Sequence, residues 1–537
     1  MLLNKPVAKS NSTFAKVSFF RTDEPSFTAR VDAYNPYSFR DLGDTSLVGF
    51  EFTKDLGQPC GTIQITLTER VRHGLYQGTP WPELIKEGDY WGIDVVKNGV
   101  EIGLSMGRID SVRVTAQAAQ SGAVEIRVIV VGRTYGFALA DSPVYWNPYD
   151  PAVDNALGID MATMIDSFAG YPGVVLTSMI RGLMGGDAIL GGRFDVPTGL
   201  VFGAGSKWLD GLDTTSGVSP LLRGFLVAFS AITPQGSPSV WEFVDAWRNP
   251  SMNEMFVDVD PTPGYPKTAR LMIREKPFVN FNDGPSSPWY RLTSWNIDAS
   301  TLTSADLVRG AFRVNHVQLL GDLVPALGDD AFALFPPVYN DESIRKYGLR
   351  RLEETTRYFD DFGPIAYSGA APFAIQSWLS AILSWNCWNH RMWNGQLDIG
   401  ELRPEIHVGQ KVAITNGPIA GYDLFPTGGV AFPAGSQPDP TCMTFYVESV
   451  SHSYREGEQP SCTTTLTVSR GFQEILRQAV VLEEYTKFRK PDGRPLTGVW
   501  ATPIQALLLN IAASQVQQLI DPTGYAGGYG LEEYTIE

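Results

Sequence analysis

Two stretches of this chain repeat one pattern, and that repeat limits the possible folds more than any other feature. Gly61-Thr62-Ile63-Gln64-Ile65-Thr66-Leu67-Thr68 alternates strictly, with Ile63, Ile65 and Leu67 on one face. Val124-Glu125-Ile126-Arg127-Val128 alternates likewise before an apolar end at Val130-Val131. Period 2 predicts half-buried strands, because successive side chains of a strand point to opposite faces. In the first block Gly88-Asp89-Tyr90-Trp91-Gly92-Ile93 precedes Ile109-Asp110-Ser111-Val112, and the strand after it ends at Val131-Gly132-Arg133. In a later block Gly409-Gln410-Lys411-Val412-Ala413-Ile414 precedes Val447-Glu448-Ser449-Val450, and the strand after it ends at Ser469-Arg470-Gly471. The acidic residue and the closing glycine are 22 residues apart in one copy (Asp110 to Gly132) and 23 in the other (Glu448 to Gly471). The earlier gap is longer in the second copy, where 417–440, rich in Gly and Pro, reads as a loop insertion. The expectation is two copies of one small antiparallel β-barrel; the plainer alternative is two unrelated sheets. Three such chains around an axis would place six equivalent barrels in a ring through closed heterologous contacts.

The length, 537 residues, suits three or four domains at roughly 100–200 residues each. We expect a polar N-terminal arm over 1–45, a first barrel over 46–150 and an α+β middle region over 151–350. A second barrel with a helix follows over 351–475, then a C-terminal helical extension and tail over 476–537. Helices are predicted at 159–168, 174–183, 219–230 and 240–247 in the middle region, at 372–394 in the second barrel, and at 473–490 and 504–520 near the end. Strands are predicted at 255–259, 271–275 and 349–359. The fold class is thus β-rich α+β, multidomain.

The balance of 42 basic against 58 acidic residues, a net charge of −16, argues against a protein that grips nucleic-acid phosphates over a large surface. It is compatible with one that nucleic acid passes without sticking. The cysteines Cys60, Cys387, Cys442 and Cys462 are scattered, with no C-x-x-C pair. Cys442 and Cys462 could pair across adjacent strands, although reduced, buried thiols are the plainer expectation. No secretory signal is read at the N-terminus, and the most apolar runs, 220–231 and 504–520, fall short of a bilayer span. No membrane anchor is therefore expected.

Motifs for chemistry are sparse. There is no P-loop and no H-E-x-x-H. Gly103-Leu104-Ser105-Met106-Gly107 matches G-x-S-x-G, but an alternating strand follows where a nucleophile elbow needs a helix. Cys387 and His390 stand three apart, and read as a packing helix before they read as a nucleophile pair. Acidic pairs such as Asp360-Asp361 and Glu483-Glu484 read as solvated surface, and Asn11-Ser12-Thr13 as a chance glycosylation match. We expect no cofactor, no metal site and no catalytic residue.

Four pieces of the sequence, in order, carry a resemblance. They are Phe50-Glu51-Phe52-Thr53-Lys54 through Gly61-Thr62-Ile63, with Gly107-Arg108-Ile109-Asp110 and Val131-Gly132-Arg133; Trp241-Glu242-Phe243, Asn253-Glu254-Met255-Phe256-Val257-Asp258 and Leu271-Met272-Ile273-Arg274-Glu275-Lys276-Pro277-Phe278; Asp341-Glu342-Ser343-Ile344-Arg345-Lys346-Tyr347-Gly348-Leu349-Arg350; and Tyr446-Val447-Glu448-Ser449-Val450-Ser451-His452 with Val468-Ser469-Arg470-Gly471. Over about 46–475 the chain resembles the baseplate or tail hub proteins of contractile-tailed phages, to which the hub portion of the type VI secretion spike is similar. The resemblance implies two tube-like antiparallel β-barrels flanking the α+β middle region. It also implies a structural virion protein of the tail baseplate, assembled in the host cytoplasm. That protein is a central homotrimer adapting the six-fold tail tube to the three-fold spike. Implied partners are the tail tube protein, the spike, the tape-measure protein and baseplate wedge proteins, with DNA passing through the channel without specific binding. A cell-wall-degrading hub enzyme and a receptor-binding tail protein are the alternatives. The motif residues carry over as fold and interface determinants: Asp110, Arg133, Asn253, Glu254, Arg274, Glu275, Tyr347, Arg350, Glu448 and Arg470. Arg274 and Glu275 are expected in buried ion pairs or caps, and Asn253 at a turn.

Overall fold

The computed structural model describes residues 13–20, 31–32, 46–72, 76–118, 124–141, 225–227, 253–259, 269–278, 292–309, 313–321, 337–356, 358–360, 382–387, 389–415, 443–456 and 461–473, with a few single positions besides. The helices expected at 159–168, 174–183 and 504–520, nearly all of that at 473–490, the 417–440 insertion and the C-terminal tail lie outside the described residues.

The first block begins with β1 (Thr13–Phe20) and the two-residue β2 (Val31–Asp32), then β3 (Leu47–Asp55), β4 (Thr62–Thr68), β5 (Tyr90–Lys97), β6 (Val100–Ala118) and β7 (Val124–Thr134). Short helices α1 (Trp81–Leu84) and α2 (Phe137–Ala140) close its ends. The alternation is realised as expected: Ile63, Ile65 and Leu67 of β4 and Val128 and Val130 of β7 are buried. Asn98-Gly99 joins β5 to β6 with Lys97 opposite Val100, both turn residues at positive φ (52° and 80°). That is the twist-matched two-residue hairpin turn for which Asn-Gly is favoured. The expected N-terminal arm is corrected in part: β1 pairs along its whole length with β5, and Ala15, Val17 and Phe19 are fully buried in the first core.

The later strands are β8 (Phe225–Val227), β9 (Asn253–Val259), β10 (Ala269–Glu275), β11 (Ser294–Asp298), β12 (Leu302–Arg309), β13 (His316–Gly321), β14 (Val338–Tyr339), β15 (Arg351–Thr356), β16 (Tyr358–Asp360), β17 (Trp393–Ile399), β18 (Lys411–Thr415), β19 (Met443–Arg455) and β20 (Ser461–Gln473), with α3 (Asp341–Tyr347) before β15. Strands from both halves form one curled, largely antiparallel sheet, ordered β12-β17-β20-β19-β3-β4-β7-β6-β5-β1-β2, with β11 and β18 joined through β19. β9 and β10 form a separate hairpin, and β14-β13-β15 a small sheet of their own.

The repeat is now visible as topology. In chain order β3, β4, β5, β6, β7 correspond to β12, β17, β18, β19, β20. Their pairing is the same, β3-β4-β7-β6-β5 against β12-β17-β20-β19-β18. β6 carries a bulge between Ile109 and Ser111, and β19 one between Val447 and Ser449, so Asp110 and Glu448 are the equivalent unpaired residues. The pairs Ile109 with Gly132 and Val447 with Val468 place Gly132 level with Val468, not with the expected Gly471. Past the bulge each arm is one residue longer in the first copy (Ser111–Ala118 against Ser449–Arg455), with five residues between the paired strands in both, and the matched glycine spacing is coincidental.

Three expected boundaries move. β11 and β12, placed in the middle region by the sequence, belong to the large sheet. The strand expected to open the second barrel is β15, which pairs in parallel with β13 instead. Phe225–Val227, expected helical, is a strand paired with β16. Each is a short segment whose pairing partner is distant in sequence, so local pattern cannot assign it. Two apolar cores result. One is built on Ile65, Trp81, Trp91 and Val130, the other on Ile399, Ile414, Phe445 and Leu466.

Candidate functional site at the junction and open edges

The two halves meet where β19 pairs antiparallel with β3, from Ser449 opposite Asp55 to Arg455 opposite Gly49. On the inner face Tyr454 stacks on Phe50 (centroids 5.7 Å) and His452 on Phe52 (6.0 Å). On the outer face Thr53 and Ser451 share a hydroxyl hydrogen bond of 3.0 Å. Aromatic cross-strand pairs of this kind stabilise a sheet by about 0.2–1 kcal/mol each. The Leu56 amide donates to the carbonyl of the bulged Glu448 at 2.7 Å, so the bulge extends the junction by one bond.

Behind the junction the β9–β10 hairpin is tied to the second half by charge. Arg274 and Glu254 stand directly opposite one another. Arg274 Nε donates to Glu254 at 2.6 Å, its Nη2 donates to the Gly409 carbonyl, and its guanidinium lies over Phe256. Tyr446 Oη donates to the other Glu254 oxygen at 2.5 Å. Burial, reinforced by Glu254, holds the Tyr446 hydroxyl well above its ordinary range, so it stays a donor. Next to this set, Asp258 contacts His407 Nδ1 at 2.6 Å. Burial pushes the Asp258 carboxyl up, but His407 and Lys54 outweigh it and hold it at about 2. Burial lowers His407 and Asp258 raises it, with a net rise. Lys54 comes from β3, Asp258 from β9 and His407 from the segment before β18, so one electrostatic node links first half, hairpin and second half.

The residues singled out in the sequence fall into separate groups. Asp110 and Arg133 come together: Arg133 forms a two-pronged pair with Asp110 (2.8 and 3.0 Å) and another with Asp141 (2.7 and 2.8 Å), and Arg108 also reaches Asp141 at 2.9 Å. Glu254 and Arg274 come together as described. Asn253 is buried at the first position of β9, on a strand and not at a turn, opposite Glu275, whose side chain lies outside the described residues. Glu448 is exposed and remote in bonding from Arg470. Arg470 adopts a left-handed backbone (φ 56°), donates to the Trp385 carbonyl at 2.7 Å and lies 3.4 Å over the Phe278 ring. Its neighbour is Gly471, where a Cβ would sit 2.1 Å from the Phe445 ring, so that ring would have to shift to admit one. Tyr347 ends α3 under the Arg313 guanidinium (4.0 Å), and the Arg350 amide donates to Asn315 at 2.7 Å, both beside the small sheet.

Ser105 of the G-x-S-x-G match is buried in mid-strand opposite Ile93. Cys387 Sγ donates to the Ser384 carbonyl, while His390 faces Arg313. Cys60 and Cys462 are free thiols, each pushed up to about 11 by burial, and Cys442 lies outside the described residues. Among the described residues no cluster of His, Cys, Asp and Glu could hold a metal ion, and no helix is long and apolar enough to cross a membrane. Lys54, Asp141, Asp258 and His407 are tertiary partners that the sequence did not single out, although Lys54 and Asp258 stand in the segments that carry the resemblance.

The sheet also has open edges. β12 has β17 on one side and no strand on the other among the described residues. Among the described residues β6 is covered by β5 only as far as Arg108 and beyond that pairs only with β7. Val114 on β6 is 57% exposed although it shares a face with the buried Val128 opposite, and Val308 on β12 is 63% exposed.

No family model matches the sequence, and no curated protein matches it. Solved structures do. A tail protein from Neisseria meningitidis matches at 10% identity and a TM-score of 0.41, over 85% of this chain and 96% of that one. A 43 kDa prophage tail protein from Shewanella oneidensis matches at 12% identity and 0.35, over 79% and 94%. An E. coli component of the type VI secretion system, itself similar to phage T4 tail proteins, matches at 10% identity and 0.34, over 80% and 74%. These three similar structures are thus a tail protein, a prophage tail protein and a type VI secretion component.

Proposed function

We propose that this chain is a structural tail protein: the central baseplate hub, a homotrimer that adapts a six-fold tail tube to a three-fold spike and forms part of the channel. The observation that carries the reading is the repeated strand order, β3-β4-β7-β6-β5 and β12-β17-β20-β19-β18, with one junction between the copies. A chain holding two equivalent tube-like β-barrel units converts three-fold into pseudo-six-fold symmetry. The sequence resemblance to tail hubs points the same way. Its partners are then the tube protein above and the spike below. The net charge of −16, tripled in the ring, repels a phosphate backbone instead of trapping it. The residues singled out act in folding and assembly, and the protein is not an enzyme.

The test is a particle map resolving the symmetry at this chain's position, with native mass of the assembled complex. Three copies on the tail axis are expected. A peripheral position would replace this reading with a receptor-binding one. A cell-wall zymogram showing lysis that a single carboxylate substitution abolishes would overturn the structural assignment.

A further inference from the structure

The junction between β19 and β3 uses two edges, and their equivalents in the repeat are edges left open among the described residues. The segment Ser449–Arg455 of β19 follows the bulge at Glu448, and its counterpart in β6 follows the bulge at Asp110. The counterpart of β3 is β12. We infer that β6 of one copy of this chain pairs antiparallel with β12 of the next, reproducing between chains the β19–β3 junction found within one. This rests on the ring reading above and names the surfaces that close the ring.

The register follows from the pairings. Gln64 lies opposite Val131 and Glu51, while Gln396 lies opposite Thr467 and Asp306. Val131 and Thr467 are themselves equivalent, being opposite Ser111 and Ser449. Glu51 therefore corresponds to Asp306, Phe52 to Leu307 and Thr53 to Val308. On the other side His452 corresponds to Val114 and Ser451 to Arg113. Since His452 faces Phe52 and Ser451 faces Thr53 within the chain, Val114 faces Leu307 and Arg113 faces Val308 between chains. Ala116 faces Ala305 likewise.

The chemistry of the two edges suits this register. Leu307 and Ala305 lie on the inner face against the second core, and Val114 lies on the inner face of the first half. Val114 is open because no described strand of its own chain covers it. The new pair is apolar on the side where the internal junction places aromatic residues. On the outer face Thr115 meets Asp306, with Arg113 the diagonal neighbour of that carboxylate, within reach of a long side chain. An uncovered edge carrying exposed valines is a template for strand addition, and a second copy supplies the matching edge.

The test is cross-linking in the full chain, alongside native mass spectrometry of the same sample and a parallel control for the natural cysteines. A chain carrying both Val114→Cys and Leu307→Cys should form intermolecular disulfides on mild oxidation, giving a ladder that ends at covalent trimer. A chain carrying Val114→Cys and Val308→Cys puts the thiols on opposite faces and should cross-link at least 10-fold less. As a second variant, Val114→Lys places a charge in the inner face of the joint and should lower the trimer fraction at least 10-fold with an unchanged circular dichroism spectrum. A trimer whose Val114/Leu307 chain does not cross-link, or whose Val114/Val308 chain cross-links as well, overturns the edge pairing and leaves the trimeric ring standing. Absence of any trimer in the assembled particle overturns the ring itself.

Discussion

Replacing Arg274 by methionine should loosen the β9–β10 hairpin from the second half of the sheet. Glu254 is only 6% exposed and receives Arg274 Nε at 2.6 Å and Tyr446 Oη at 2.5 Å. Methionine keeps an apolar stem against Phe256 and removes the charge. The carboxylate is then left buried with one donor, and the Gly409 carbonyl loses its guanidinium donor. Breaking a buried ion pair from one side costs about 3–5 kcal/mol, because the remaining charge is stranded. Arg274 retains 23% exposure, so water replaces part of the loss, and the expected cost is about 3 kcal/mol. In the double variant Glu254→Gln with Arg274→Met no charge is stranded, and about half of that loss should be recovered, a coupling of roughly 1.5 kcal/mol. Global unfolding of a chain with two cores need not be two-state, so the assay is local: hydrogen exchange followed by mass spectrometry over 253–275. Arg274→Met should speed exchange there about 100-fold, as about 3 kcal/mol of opening free energy implies. Peptides from β4 and β7 should be unchanged. Unaltered exchange over 253–275, or a double variant as fast as the single, would refute the argument.

Further outcomes follow from the same geometry. Burial, with His407 nearby, pulls His452 down to about 3, and Nε2 has no hydrogen-bond partner. A depressed histidine stabilises the fold above its unfolded value and loses that stability as pH falls below about 6.5, so His452→Phe should remove about 2 kcal/mol of the destabilisation between pH 7 and 5; an identical acid profile by thermal melting would count against it. His407 works in the opposite sense: its raised value stabilises below about 6.5 and that contribution fades as pH rises through the folded value. His407→Gln should therefore reduce stability more at pH 6 than at pH 9, and an equal loss at both would exclude the Asp258 pair as the cause. Gly471→Ala should cost about 1–3 kcal/mol through the Phe445 ring, and a melting temperature equal to the parent's would show that the ring moves freely. Arg133→Ala, at a site about one-third exposed, should cost only about 1 kcal/mol; a loss beyond about 3 kcal/mol would mean that Asp110 and Asp141 depend on it far more than their exposure implies.

What the sequence determined by itself was the part set by neighbours along the chain. Alternation in 61–68 and 124–131 identified β4 and β7 and their buried faces, since a strand's period is local. The acidic residues Asp110 and Glu448 were found as repeat partners, and they are equivalent bulges. Asn98-Gly99 is a turn of the same local kind, since Asn-Gly favours the positive φ that a two-residue hairpin needs. The tertiary structure decided which strands share a sheet. Nothing in Leu302–Arg309 states that it pairs with a strand some 90 residues later, or that β1 completes the first core. The glycine spacing misled because the β6 and β7 arms are each one residue longer, so a glycine three positions beyond the equivalent Val468 gave nearly the same count. The candidate site divides along the same line. Arg274 and Glu254 were legible as a pair of motifs, but their junction with Tyr446, and the Lys54–Asp258–His407 node, join residues hundreds of positions apart. Pairing energies between such residues depend on distance in space, which only the folded sheet fixes. The same holds for the open edges: the exposure of Val114 and Val308 depends on which strands lie beside them, and no described strand does.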